Sequence, residues 1–160
     1  MANEMEMRTA KEMFCVLCLA LDEMGWKYKK EEENLAVRFD ATGNDLSTSF
    51  TFWVDADRKL FRLMGFLPFN MSEDKRVEGS IAVNLANYKF ADGNFDYNIG
   101  EGKISWRMTA TFRESLIGME LIRYMILCSC HTIDAYNDQF LAISEGKMTL
   151  QEFVNKHYGD

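Results

Sequence analysis

Two short segments hold the side chains with the richest chemistry in the chain: Cys15-Val16-Leu17-Cys18 and Cys128-Ser129-Cys130-His131. Thiolates and imidazole at close spacing are what zinc selects, so Cys15, Cys18, Cys128, Cys130 and His131 form one candidate metal or redox set. Their surroundings argue against it. Both segments lie inside apolar runs with helical spacing, whereas structural zinc pairs usually sit on turns that can wrap an ion. Side chains two positions apart on a helix point about 200° apart, so Cys128 and Cys130 do not readily face one ion. Free cysteine is also among the most buried residue types. The expectation is four small core side chains and no cofactor, with a zinc- or redox-responsive module as the alternative.

Asp92-Gly93-Asn94-Phe95-Asp96 opens like a calcium loop and then departs from it, because Tyr97 stands where glycine is required and Lys103 where the bidentate glutamate should be. It reads as a turn. Acid–base catalysis near neutral pH would fall to His131 or His157, and neither has a nucleophile at a recognised spacing. His131 is expected within a helix, and His157 after a final turn, where a cation complements the helix dipole. No Gly-rich phosphate loop, nucleophile elbow or metalloprotease helix is present. The chain is therefore expected to have no catalytic residues. A small-ligand-binding domain, which would need a deep pocket, is a further alternative.

The balance of 18 Lys and Arg against 25 Asp and Glu, a formal charge of −7, argues against a nucleic-acid surface. Lys27, Lys29 and Lys30 are followed at once by Glu31, Glu32 and Glu33, so that cluster cancels itself. The acidic start has no apolar core of a secretory signal, and the run Met13 to Leu21 is far short of the roughly 20 residues of a membrane span. A reducing cytoplasm is the expected location, with no membrane partner.

The elements that must position any site follow from period. Ala10, Phe14, Leu17, Leu21 and Met24 have helical spacing and predict a first helix from about Met7, closed by Gly25. Residues 1–6 are expected to be disordered. Alternation then predicts strands near 35–40, 47–55 and 60–67, the last ended by Pro68. Ser72 caps a second helix marked by Val77, Ile81, Leu85 and Tyr88. Two more strands carry Phe95 and Tyr97, then Ile104, Trp106 and Met108. A long third helix runs from near Gly118 to Ser144, and Thr149-Leu150-Gln151-Glu152 is a capping box for a last short helix. The expected architecture is one α+β domain over residues 1–160, of order α-β-β-β-α-β-β-α-α, with a five-stranded antiparallel sheet and helices packed on one face.

One face of that sheet collects Leu35, Val37, Phe39, Phe50, Phe52, Val54, Phe61, Leu63, Phe95, Tyr97, Trp106 and Met108, enough for helices to cover. The other carries Arg38, Thr51, Arg62, Asp96, Arg107 and Thr109, and among them Trp53, Met64 and Phe66. A polar face bearing Trp, Met, Phe and Arg has the composition of a binding surface, so Trp53, Met64, Phe66, Arg38, Arg62 and Arg107 are the expected partner-binding residues.

The runs Asn84-Leu85-Ala86-Asn87-Tyr88, Asp92-Gly93-Asn94-Phe95-Asp96-Tyr97 and Gly102-Lys103-Ile104-Ser105-Trp106-Arg107, with Asp134-Ala135-Tyr136, resemble the bacterial YbjN-type family, described as sensory transduction regulators. That family is similar in fold to type III secretion chaperones, small acidic α+β proteins that hold partner polypeptides without ATP. The resemblance implies a chaperone-like fold and no enzymatic machinery. On it, the expected function is a non-catalytic adaptor or chaperone-like regulator. It would bind a protein or peptide, with homodimer formation as a further contact. The residues also have purely structural readings: Asn84 and Asn87 would satisfy helix-end carbonyls, Gly93 would supply a positive φ, and Phe95 would fill core.

Overall fold

A computed structural model describes residues 2–159. The changes of hydrophobic period become α1 (Glu4–Glu23), β1 (Lys29–Glu31), β2 (Ala36–Thr42), β3 (Ser47–Asp55), β4 (Leu60–Asn70), α2 (Arg76–Asn87), β5 (Asn94–Asn98), β6 (Lys103–Thr111), α3 (Met119–Ser144) and α4 (Leu150–Tyr158). The strands form one antiparallel sheet in the order β1-β2-β3-β4-β6-β5. The α+β class and the expected order of helices and strands stand, with one strand more than expected. That strand, β1, is Lys29-Lys30-Glu31, paired with Ala36 to Arg38 at the sheet edge. It has no apolar alternation to betray it, and a short charged strand is what an edge tolerates.

The core lies on the face the alternation indicated. Val37, Phe39, Phe50, Phe52, Val54, Phe61, Leu63, Phe95, Trp106 and Met108 are all buried. α1 lays Phe14, Leu17 and Leu21 over them, and α3 lays Ile122, Met125, Ile126, Ile133 and Phe140. The Trp106 indole Nε1 donates to Ser129 Oγ at 2.7 Å, and Ser129 Oγ donates to the Met125 carbonyl at 2.6 Å. A fully buried indole therefore enters the core with its donor satisfied. α4 starts from the expected capping box, with Thr149 accepting from the Glu152 amide and Glu152 accepting from the Thr149 amide. It seats Phe153 against Phe140.

Four expectations are corrected. Of the segment 1–6, expected to be disordered, Glu4 to Glu6 open α1, with Asn3 Oδ1 accepting from the Glu6 amide and Glu6 Oε2 accepting from the Asn3 amide, both at 2.9 Å. The spacing Asn-x-x-Glu is the signal; Met1 lies outside the described residues. Pro68 does not end β4, which continues to Asn70; the β4–β6 register instead shifts between Phe66 and Asn70, at the stretch where proline lacks a ladder donor. Of the apolar stripe expected for α2, Leu85 is half-buried against the core, while Val77, Ile81 and Tyr88 are exposed; the buried residues are Gly79, Ala82, Val83 and Ala86. The small side chains let the helix lie close: a Cβ on Gly79 would fall 2.7 Å from Met71 Cε. His157 lies inside α4, half-buried, and does not act as an exposed cation beyond it. No helix among the described residues is long and apolar enough to cross a membrane.

Candidate protein-binding face

The outward side of the sheet is assembled by register. Arg38 on β2 stands opposite Thr51 on β3, Thr51 opposite Met64 on β4, and Met64 opposite Arg107 on β6. Four strands therefore place Arg38, Thr51, Met64 and Arg107 in one row. In the row on one side, Trp53 pairs with Arg62; in the row on the other, Ser49 pairs with Phe66 and Phe66 with Ser105. Period-2 alternation alone puts these residues on one face, opposite the helices. Trp53, Met64 and Phe66 are half-buried by their neighbours on the sheet, while Arg38, Asp40, Ser49 and Thr109 are exposed.

All six expected site residues thus share this face. The arginines are less free than composition suggested. Arg38 Nε lies 3.2 Å from Glu31 Oε1, and Arg62 Nη1 lies 3.6 Å from Asp55 Oδ2. Arg107 grips Asp96 with two bonds, Nε to Oδ2 at 2.8 Å and Nη2 to Oδ1 at 3.0 Å. The hydrogen bond to Asp96 raises the Arg107 pKa, so this fork stays charged. Burial opposes ionisation of Asp55, but hydrogen bonds from the Arg58 amide and guanidinium outweigh it and hold its carboxyl below the usual range. The aromatic rings each carry a cation: the Arg62 guanidinium lies 5.1 Å from the Trp53 ring and Lys103 Nζ lies 5.5 Å from the Phe66 ring. The face is apolar at its centre, with charges locked into pairs around it. That arrangement suits contact with a polypeptide better than with a polyanion, because paired arginines offer little net field.

Sequence reasoning missed Glu31, Asp55 and Lys103 as members of this surface. Glu31 belongs to the unforeseen strand β1, and Lys103 opens β6 one residue outside the alternating apolar positions that mark that strand.

The cysteine set does not assemble. Cys15 is exposed, Cys18 buried, and Cys128 and Cys130 half-buried. Among the described residues no three His, Cys, Asp or Glu side chains are placed to hold a metal ion. Burial raises the Cys18 thiol above its ordinary pKa and pushes Cys130 up to about 11, with Asp134 adding to the latter. Both shifts favour the neutral thiol, the wrong species for zinc or nucleophilic chemistry. His131 is exposed on α3.

Two residues of the runs Asn84–Tyr88 and Asp134–Tyr136 tie distant segments together. Asn87 holds the edge of β5, and the Asp134 carboxylate accepts from the Asn44 amide at 2.8 Å and from Asn44 Nδ2 at 2.6 Å, fixing the β2–β3 turn. Gly43 is needed there, since a Cβ would fall 1.8 Å from Asp134 Oδ1.

No family model matches this sequence, and no curated protein matches it. Solved structures share its fold, two of them as follows. The crystal structure of YbjN, a proposed transcription regulator from E. coli, superposes with a TM-score of 0.55 at 10% identity, covering 84% of this chain and 90% of that one. A chain of the HopA1–SchA chaperone–effector complex superposes with a TM-score of 0.56 at 12% identity, covering 82% of this chain and 97% of that one. At such identity the likeness shows the fold alone, shared with YbjN and with that chain of the HopA1–SchA complex. Fold alone does not assign an activity.

Proposed function

We propose that this chain is a non-catalytic adaptor or chaperone-like regulator of the cytoplasm that binds a partner polypeptide through the outward face of its sheet. The observation that carries the reading is the diagonal of Trp53, Met64 and Phe66 across β3 and β4, on the side opposite the helices. Large rigid or polarisable side chains are the types that dominate binding energy at protein interfaces. The small polar neighbours Ser49, Thr51 and Ser105 leave their flanks accessible. A relative in fold, the chaperone of the HopA1–SchA complex, binds an effector protein. That supports a polypeptide as the partner here.

The test is capture from lysate by the unmodified chain and by a Trp53→Ala, Phe66→Ala double variant. Both substitutions are on a half-exposed face, so the melting temperature should move by only a few degrees. The account expects the captured polypeptide to be lost. Equal capture by a folded double variant would contradict it.

A second contact has its own observation. Val77, Ile81 and Tyr88 form an exposed apolar stripe along α2. Exposed stripes of this kind mark association surfaces. Homodimer formation through α2 is the second reading. Sedimentation of the unmodified chain and of Ile81→Glu tests it: a dimer that becomes monomeric supports it, and a monomer in both contradicts it.

A further inference from the structure

The charges on the sheet's outward face bear on what kind of segment it receives, an inference that rests on that face being the binding surface. Alternation turns five cations outward, Lys29, Arg38, Arg62, Lys103 and Arg107, against four carboxylates, Glu31, Asp40, Asp55 and Asp96. The chain as a whole carries a formal charge of −7. The face thus has a small positive surplus on a strongly acidic molecule.

The surplus falls on particular side chains. Arg38 and Arg107 are held by Glu31 and Asp96. Arg62 is held more loosely: it lies 3.6 Å from the same Asp55 oxygen that Arg58 approaches to 3.2 Å, and its buried Nε has no hydrogen-bond partner. Lys29 and Lys103 are exposed and pair with no carboxylate among the described residues. Against these three cations stands Asp40, exposed and accepting from Ser49 Oγ at 2.6 Å.

The three cations border the apolar centre. Arg62 lies against the Trp53 ring and Lys103 against the Phe66 ring. Lys29 stands opposite Arg38, at the end of the row that runs through Thr51 and Met64. A shallow concavity of about 610 Å³ beside that row is lined in part by Lys29, Asp40, Ser49, Thr51 and Phe66. Neighbouring strands lie about 4.8 Å apart, so the four steps from β1 to β6 separate Lys29 from Lys103 by roughly 19 Å across the sheet.

We propose that the polypeptide segment received by this face is both acidic and apolar. Leu, Phe or Trp side chains pack on Trp53, Met64 and Phe66, and Asp or Glu toward its two ends meet Lys29 and Lys103, with Arg62 between. A basic segment is repelled by those cations. An acidic one is disfavoured elsewhere by the chain's net negative charge and accepted here, so the charge pattern sets specificity and register while the apolar centre supplies affinity.

The probe is a phage-displayed library of random peptides of about 14 residues, long enough to cross that span even as a helix rising about 1.5 Å per residue. It is selected on the full chain, and the retained peptides are sorted by whether they also bind the Trp53→Ala, Phe66→Ala variant. Those lost by the variant should be enriched in Asp and Glu over the unselected library. A synthetic copy of the most frequent one should bind the unmodified chain more weakly as salt rises from about 50 to about 500 mM. It should bind a Lys29→Glu, Lys103→Glu variant about tenfold more weakly, because each reversal removes an attraction and adds a repulsion. Neutral or basic face-dependent peptides, or an acidic one indifferent to salt, overturn the inference and leave the face standing as a binding surface. Equal binding of a DNA strand of about 14 nucleotides also overturns it, since charge alone would then suffice. If no retained peptide depends on Trp53 and Phe66, the binding-surface reading itself fails and the inference with it. The selection and the salt dependence decide the matter even if the lysine variant fails to fold.

Discussion

Asn87, the last residue of α2, lays its carboxamide against the edge of the sheet and satisfies both backbone groups of Phe95: Nδ2 donates to the Phe95 carbonyl and Oδ1 accepts from the Phe95 amide, each at 2.8 Å. An edge strand presents unpaired donors and acceptors that invite further strands. Here a side chain copies the two bonds a neighbouring strand would make, and it ties α2 to β5. Removing it by Asn87→Ala should cost about 2 kcal/mol, two hydrogen bonds at roughly 1 kcal/mol each. Urea unfolding measures the loss, and faster exchange of the Phe95 amide localises it. A loss below about 0.5 kcal/mol would show the clamp to be incidental.

Gly93 turns the chain into β5 with a φ of +72°, and a Cβ there would fall 2.2 Å from Trp106 Cζ2. Both the dihedral and the buried ring oppose any side chain. Gly93→Ala should therefore destabilise by at least about 3 kcal/mol. Calorimetry that finds the melting temperature unchanged would contradict the packing described around Trp106.

His157 stacks on Tyr136 with ring centroids 4.9 Å apart, and its Nε2 lies 2.8 Å from Gln139 Oε1. Burial, helped by the charges of Lys156 and Lys89, holds its pKa below the ordinary histidine value. The unfolded chain then takes up the proton first as pH falls. Its contribution to stability is whole above the unfolded value of about 6.5 and is lost as pH drops through the lower folded value. Urea midpoints should fall between pH 7.5 and 5.5, and His157→Gln should flatten that slope. A slope identical in the variant would assign the effect elsewhere.

Thiol reactivity separates the adaptor reading from a metal or redox module. Under native conditions Cys15 should react promptly with a thiol reagent, while buried Cys18 and the raised Cys130 react slowly. Protein purified without chelator should carry less than about a tenth of an equivalent of zinc. Stoichiometric zinc would restore the alternative.

Much of the fold is readable because alternation and helical spacing act locally. The strand faces follow from Phe50, Phe52 and Val54 alternating with Thr51 and Trp53, and α4 follows from Thr149 and Glu152. What escaped depends on tertiary partners. The stripe Val77, Ile81 and Tyr88 has the right period for α2 and the wrong side, because Gly79, Ala82 and Ala86 pack more closely than larger side chains can. Asn87 and Asp134 looked like residues of helix ends and helix faces; their partners lie 8 and 90 positions away in sequence. The site residues were legible as a face, since register needs only alternation. Their pairing with Glu31, Asp55 and Asp96 was not, since β1 has no hydrophobic signature and ion pairs across strands leave no periodic trace.

The most direct measurement places a photo-crosslinking residue at Thr51, in the centre of the Arg38–Thr51–Met64–Arg107 row, and for comparison at Leu121 on the solvent side of α3. Irradiation in cells should attach a partner polypeptide at position 51 and leave position 121 unmodified. Attachment at 121 with none at 51 would contradict the assignment of the sheet face as the binding surface.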